Sequence, residues 1–164
     1  MAKCSLDWDT GFEQTLRNLA NNTPELLRRA VYAGAEVCAD ELKRGLNSIP
    51  SDTFRYLYGN DRFEGIPEDE RESLREHFGI TKVIEFDDGG VNARIGFEGY
   101  TPFRTKKYPQ GVPTALIARS INAGSSVRRR IPFIDDAKRA AKDKAQKAME
   151  QELARGIDKN IKED

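Results

Sequence analysis

The stretch VNARIGF, residues 91–97, alternates strictly. Val91, Ala93, Ile95 and Phe97 fall on one face, and Asn92, Arg94 and Glu98 on the other. A two-residue period fits a half-buried strand and would scatter the same apolar groups around a helix. The run ITKVIEF precedes it across Asp87-Asp88-Gly89-Gly90 and offers Ile84 and Phe86 to the same face. The pair predicts an antiparallel β-hairpin. The strong patterns on either side of it are helical. The expected fold class is therefore α+β, with a long N-terminal helix and a long C-terminal helix packed on a small antiparallel sheet built around this hairpin.

A helical stripe of Phe12, Leu16 and Leu19 predicts a first helix over 9–20, broken at Asn21-Asn22. Thr23 followed by Pro24 reads as an N-cap and a first helical position. From there Leu27, Ala30, Val31, Gly34, Val37, Cys38 and Leu42 run for about five turns, to an end near Ser48. Ala30, Ala33, Gly34 and Ala35 would let another backbone come close. Residues 51–66 read as an aromatic loop. Pro67-Glu68-Asp69-Glu70 opens a short helix that carries Leu74 and Phe78 and stops at Gly79. Residues 98–112 have prolines and glycines but no period, which predicts a long loop. Pro113 starts a helix that ends at Gly124, and the longest helix begins near Asp135. Its apolar positions are mostly alanine: Ala137, Ala141, Ala145 and Ala148, then Met149, Leu153 and Ile157. A single domain over 1–164 is expected, with flexible ends at about 1–8 and 158–164.

Hydrophobic residues make up 38% and charged residues 33%, so the core is thin, which leaves oligomerisation open. Formal net charge is zero, with 27 basic and 27 acidic residues. Nucleic-acid contact would have to come from a local patch. Cys4 and Cys38 form no zinc pattern and read as free thiols in a reducing compartment. No signal-peptide core or run of roughly 20 apolar residues is visible. The chain is expected to be soluble, made in the cytoplasm, without a membrane partner.

The one histidine, His77, reads as a C-terminal cap of the short helix. No Gly-x-Ser-x-Gly, phosphate-loop or dinucleotide motif is present. The expectation is a protein that is not an enzyme and takes no cofactor or metal. A toxin-ribonuclease reading has only His77 behind it. Two basic places remain: Arg104, Lys106 and Lys107 among Tyr100, Phe103 and Tyr108, and the triplet Arg128-Arg129-Arg130. Arginine forks pair with phosphates and aromatic rings stack on bases. The same residues serve equally as a solvated loop or an intersubunit ion-pair surface, the preferred reading for a chain of zero net charge.

The triplet stands inside GSSVRRRIPFIDDAKRAA, residues 124–141. Gly124-Ser125 turns the chain, Arg128 to Arg130 follow, and then Pro132-Phe133-Ile134-Asp135-Asp136-Ala137. Pro132 holds the preceding residue extended. Phe133 and Ile134 would staple the start of the last helix to the sheet. The order of parts resembles the minor tail-component family of long-tailed bacteriophages, assigned to tail completion and head–tail joining. In that family a Gly-Thr or Gly-Ser turn leads through a basic stretch to Pro-Phe-aliphatic-x-x-Ala. The helix LLRRAVYAGAEVCADELKRGL is similar to the family's first helix, with Lys43 at its late basic position. The chain departs from the family's Pro-x-x-Thr-Gly-x-Leu segment at Pro50-Ser51-Asp52-Thr53-Phe54-Arg55-Tyr56, and inserts the acidic helix at 67–78.

The resemblance implies a structural virion protein at the phage neck, made in the host cytoplasm. It would join head-connector and tail-tube proteins, as a homo-oligomeric ring around the DNA channel. Arg104, Lys106, Lys107, Arg128, Arg129 and Arg130 would contact a partner or the channel DNA. Pro132, Phe133 and Ile134 would be the anchor. The other reading is a small α+β nucleic-acid-binding module using basic loops 104–107 and 128–130.

Overall fold

The structure, a computed structural model, describes residues 24–53, 55–87 and 90–163, with side chains as far as 157. The expected helix over 9–20, Cys4, the Thr23 cap and the flexible start at 1–8 lie outside the described residues. Among the described residues, four helices and four short strands follow in order: α1 Pro24–Ser48, α2 Glu68–Glu76, β1 Phe78–Ile80, β2 Ile84–Glu85, β3 Val91–Asn92, β4 Ile95–Phe97, α3 Thr114–Ala123 and α4 Phe133–Glu163. The fold is α+β, with two long helices beside a small antiparallel hairpin region.

α1 and α4 pack antiparallel, and small residues set how close they come. A Cβ on Gly34 would run into the Met149 side chain, its Cγ only 2.9 Å away. A Cβ on Gly45 would stand 3.1 Å from the Phe133 carbonyl oxygen, and one on Gly156 would overlap Leu26. On α4 the buried row is Phe133, Ala137, Ala141, Ala145, Met149 and Leu153. A row at i+4 forms one ridge of a helix, and alanine ridges let the partner axis approach. Polar groups close the seam. Lys144 Nζ lies 2.6 Å and Arg44 Nη1 2.7 Å from Glu41 Oε1, and Arg29 pairs with Glu152.

The hairpin packs on α1 and reaches the start of α4 through Phe97. Phe78 opposes Phe97 and Ile80 opposes Ile95 in β1–β4. Phe97 is buried between the rings of Phe78, 5.4 Å away, and Phe133, 6.4 Å away. The main core joins Leu42, Leu46, Ile66, Leu74, Ile95, Phe97, Ile121 and Phe133 with the alanines of α4. A second, smaller cluster of Leu26, Ala30, Met149 and Leu153 sits between the helices towards the other end.

Two expectations about this region are corrected. The β2–β3 ladder pairs Ile84 with Asn92 and Glu85 with Val91. Thr81 N–H donates to the Arg94 carbonyl at 2.8 Å, so Lys82 and Val83 together oppose Ala93. That extra residue is a β-bulge, and a one-residue slip flips every later side chain. Ile84 and Phe86 are thereby exposed, and Glu85 turns towards α1, where Arg28 Nε donates to it at 2.5 Å. The second correction concerns α2, which ends at Glu76. Phe78 and Gly79 belong to β1, where pairing with Phe97 and Gly96 outweighs one more helical turn.

Valine at position 34 should destabilise the fold by about 1–3 kcal/mol through overpacking. Adding Met149→Ala should return part of that loss, as read from urea midpoints. A pH dependence also follows from the seam. The hydrogen bond from Lys144, helped by Arg44, holds the Glu41 carboxyl below its ordinary 4.5. A carboxylate lowered on folding contributes stability that is full above 4.5 and is lost as pH falls through the lowered value. Lys144→Met should therefore lower the melting temperature at pH 7, and its difference from the parent should shrink as pH falls through the lowered value.

Candidate functional site

The segment from Gly124 to Ile134 is held at almost every residue. Gly124 has φ 78°, a left-handed conformation, and a Cβ there would stand 3.1 Å from the Arg130 backbone nitrogen. Only glycine meets both demands without strain. Arg128 then pairs with Phe63 of the 51–66 loop. Phe63 N–H donates to the Val127 carbonyl at 2.9 Å, and Arg129 N–H donates to the Phe63 carbonyl at 2.8 Å. Ile131 N–H donates to the Ile121 carbonyl at 2.9 Å, tying the segment to the end of α3.

This placement divides the arginine triplet. Arg128 is only 7% exposed, so the expectation that it contacts a partner or a channel is corrected. Its Nη2 sits 3.1 Å from Oε1 and 2.9 Å from Oε2 of Glu70, itself buried on α2. Glu70 Oε2 and Arg128 Nη1 make no hydrogen bond among the described residues. Arg129 and Arg130 point outward, with exposed partners. Arg129 Nη1 lies 3.1 Å from Glu64, and Arg130 Nη2 3.2 Å from Asp135. Alternation along an extended strand explains the change of side between Arg128 and Arg129.

The anchor follows directly. Phe133 is 3% exposed, while Pro132 and Ile134 are half-buried, with Ile134 against the main core. Asn122 of α3 supplies the cap of α4. Its Oδ1 accepts from the backbone N–H of Ile134 at 2.9 Å and of Asp135 at 3.3 Å, and its Nδ2 donates to Asp135 Oδ2 at 3.1 Å. These donors are among the four that a helix start leaves unpaired.

The second basic place is a closed structure. Thr101 N–H donates to Val112 at 2.9 Å, Val112 N–H to Phe103 at 3.0 Å, and Thr105 and Tyr108 exchange backbone bonds at 3.1 Å. Tyr100 pairs with Pro113 at the base, where Thr114 N–H donates to the Gly99 carbonyl at 3.0 Å. Arg104, Lys106 and Lys107 stand exposed on this loop, with Lys107 Nζ 5.5 Å from the Tyr108 ring centre. The loop enters the N-terminus of α3 and the triplet leaves its C-terminus. Ten residues of helix separate them, about 15 Å. The structure does not join the two basic places into one patch.

Sequence reasoning missed Arg71. It is buried on α2 and caps the end of α1. Nη1 donates to the Leu46 carbonyl at 2.8 Å, Nη2 to the Ile49 carbonyl at 2.7 Å and to Ser51 Oγ at 3.2 Å, and Nε to Glu68 at 2.9 Å. It fills carbonyls that the helix end cannot satisfy itself. Glu70 was also read only as a dipole charge. Its spacing of four from the buried Leu74 is the signal that places it on the inner face of α2.

His77 terminates α2, and its Nδ1 lies 2.9 Å from the Ser73 carbonyl. An open groove of about 290 Å³ beside it is lined by Glu76, Gly79, Thr81, Gly96 and Glu98. Among the described residues no group of three or more His, Cys, Asp or Glu side chains is placed to hold a metal ion. No described helix is long and apolar enough to cross a membrane. Comparisons with protein-family models, curated proteins and solved structures returned no match.

Removing one partner of the buried pair should leave an uncompensated charge. Glu70→Ala should cost about 3–5 kcal/mol in chemical denaturation, and Glu70→Leu combined with Arg128→Met should cost much less than that single change.

Proposed function

We propose that this chain is a structural protein of a bacteriophage neck. It completes the tail and joins it to the head connector through protein–protein contacts, as a ring around the DNA channel. One observation carries the reading: the segment 124–137, on which the family resemblance rests, is built as a rigid presentation device. A buried Phe133 and the Asn122 cap fix the start of α4, while Arg129 and Arg130 are held outward a few residues before it. Arginine is enriched at protein interfaces, and one carried on an already ordered segment loses less freedom on docking.

The closed loop at 98–112 supplies a second rigid surface with Arg104, Lys106 and Lys107. The nucleic-acid-binding alternative has less support. It needs the basic residues to converge, and the exposed part of the triplet stands at the far end of α3 from the loop, with Arg128 buried against Glu70.

The test is to mix the protein with the tail-tube or head-connector protein of the same virion and measure mass by light scattering. The expected result is a defined higher-order species. Arg129→Glu should leave the melting temperature within about 1–2 °C of the parent, since exposed ion pairs contribute under 1 kcal/mol, and should weaken that species. Absence of any such species, together with tight, salt-sensitive DNA binding, would sink the proposal.

A further inference from the structure

Residues 99–134 hold seven of the 27 basic residues and none of the 27 acidic ones; the remaining 128 residues hold 20 basic against 27 acidic. A chain of zero net charge is therefore divided into a +7 segment and a −7 remainder. Folding cancels only part of the division. Arg128, Arg129 and Arg130 meet Glu70, Glu64 and Asp135. Arg104, Lys106, Lys107 and Arg119 are exposed and have no acidic partner among the described residues. Arg119 lies five residues into α3, about 8 Å from the base of the loop. Tyr100, 52% exposed, and Leu116, 40% exposed, lie at that base.

The opposite charge is also displayed in an organised form. Tyr32, Glu36 and Asp40 fall at i, i+4 and i+8 along α1, on one exposed row. Tyr32 is 44% exposed, and neither carboxylate has a cation at ion-pair distance among the described residues. No ion pair joins this row to the cationic loop within one chain.

We propose that residues 99–112 of the loop, with Arg119 beside them, dock on the Tyr32–Glu36–Asp40 row of a second copy of this chain. The charges match in sign, and each surface carries an exposed aromatic group to exclude water at its centre. The two surfaces differ, so the contact is head-to-tail, the kind that closes into a ring or extends as a filament. A polyanion is a poorer fit. The four cations without an acidic partner among the described residues belong to a molecule of zero net charge, and the arginine triplet lies at the other end of α3. The inference rests on the ring in the reading above and names its faces, but its charge argument holds whichever proteins flank that ring.

Sedimentation velocity on the full chain tests it. The parent protein should gain mass with concentration at about 50 mM salt and lose it at about 500 mM, where charges are screened within a few ångströms. Lys106→Glu with Lys107→Glu should weaken association about tenfold or more, and so should Glu36→Lys with Asp40→Lys. An equimolar mixture of these two variants should restore association, because each then offers the charge the other needs. A parent protein that stays monomeric at every concentration overturns the proposal, as does a mixture that behaves like its components. Binding of a labelled duplex DNA by a monomer, abolished by the lysine changes, overturns it in favour of a nucleic-acid partner. Self-association without tail-tube or connector binding supports the docking and counts against the neck reading alone.

Discussion

The close approach of α1 and α4 is the constraint on which the other parts depend. Gly34 receives Met149, Gly45 lies against the backbone of Phe133, and Gly156 receives Leu26. These three contacts fix an antiparallel alignment over most of α1. Dispersion contacts are weak singly and strong only when many atoms meet at the right distance. Alanine and glycine give up side-chain area and gain that distance. Because Phe133 begins α4 beside Gly45, its ring falls where Phe97 can pack on it, and the hairpin is located by the same contact.

α2 works as a clamp between this helix pair and the segment that feeds α4. Two neighbouring residues reach different elements: Arg71 to the carbonyls at the end of α1, and Glu70 to Arg128 beyond α3. Burying such charges gives little net stability, because desolvation offsets most of the attraction. What it does provide is a penalty for misplacement. A loop carrying Arg128 out of register would leave Glu70 buried without its partner. The acidic helix at 67–78, read from sequence as an insertion, thus holds two joints of the fold.

Much of the fold was legible because it rests on local periodicity. The stripe on α1, the alanine row on α4, the limits of α3 and the existence of a hairpin all follow from spacing and from Pro and Gly positions. The hairpin's register was not legible. Lys82 and Val83 give no sign of opposing a single residue, so Ile84 and Phe86 were placed on the wrong face. Phe78 and Gly79 suit a helix end as well as a strand, and only the distant partners Phe97 and Gly96 decide between them. Of the arginine triplet, sequence gave the density of charge and not its direction. Arg128 pairs with a residue 58 positions away, and nothing local distinguishes it from Arg129. The burial of Phe133 was readable because a large apolar ring after a proline and before a helix start faces inward on local grounds.

The hydrogen-bonded closure of the 98–112 loop has a kinetic consequence. A floppy loop must lose backbone freedom when it meets a partner, at roughly 1–2 kcal/mol for each residue ordered. Here the crossed bonds between Thr101, Phe103, Thr105, Tyr108 and Val112 impose that order during folding. An encounter would then need little rearrangement, and its rate would be governed by diffusion and by the local charge of Arg104, Lys106 and Lys107. A surface of this kind would capture quickly and let go according to the quality of the contact, so ionic strength would set how fast a complex formed while the apolar groups at the loop's base would set how long it lasted.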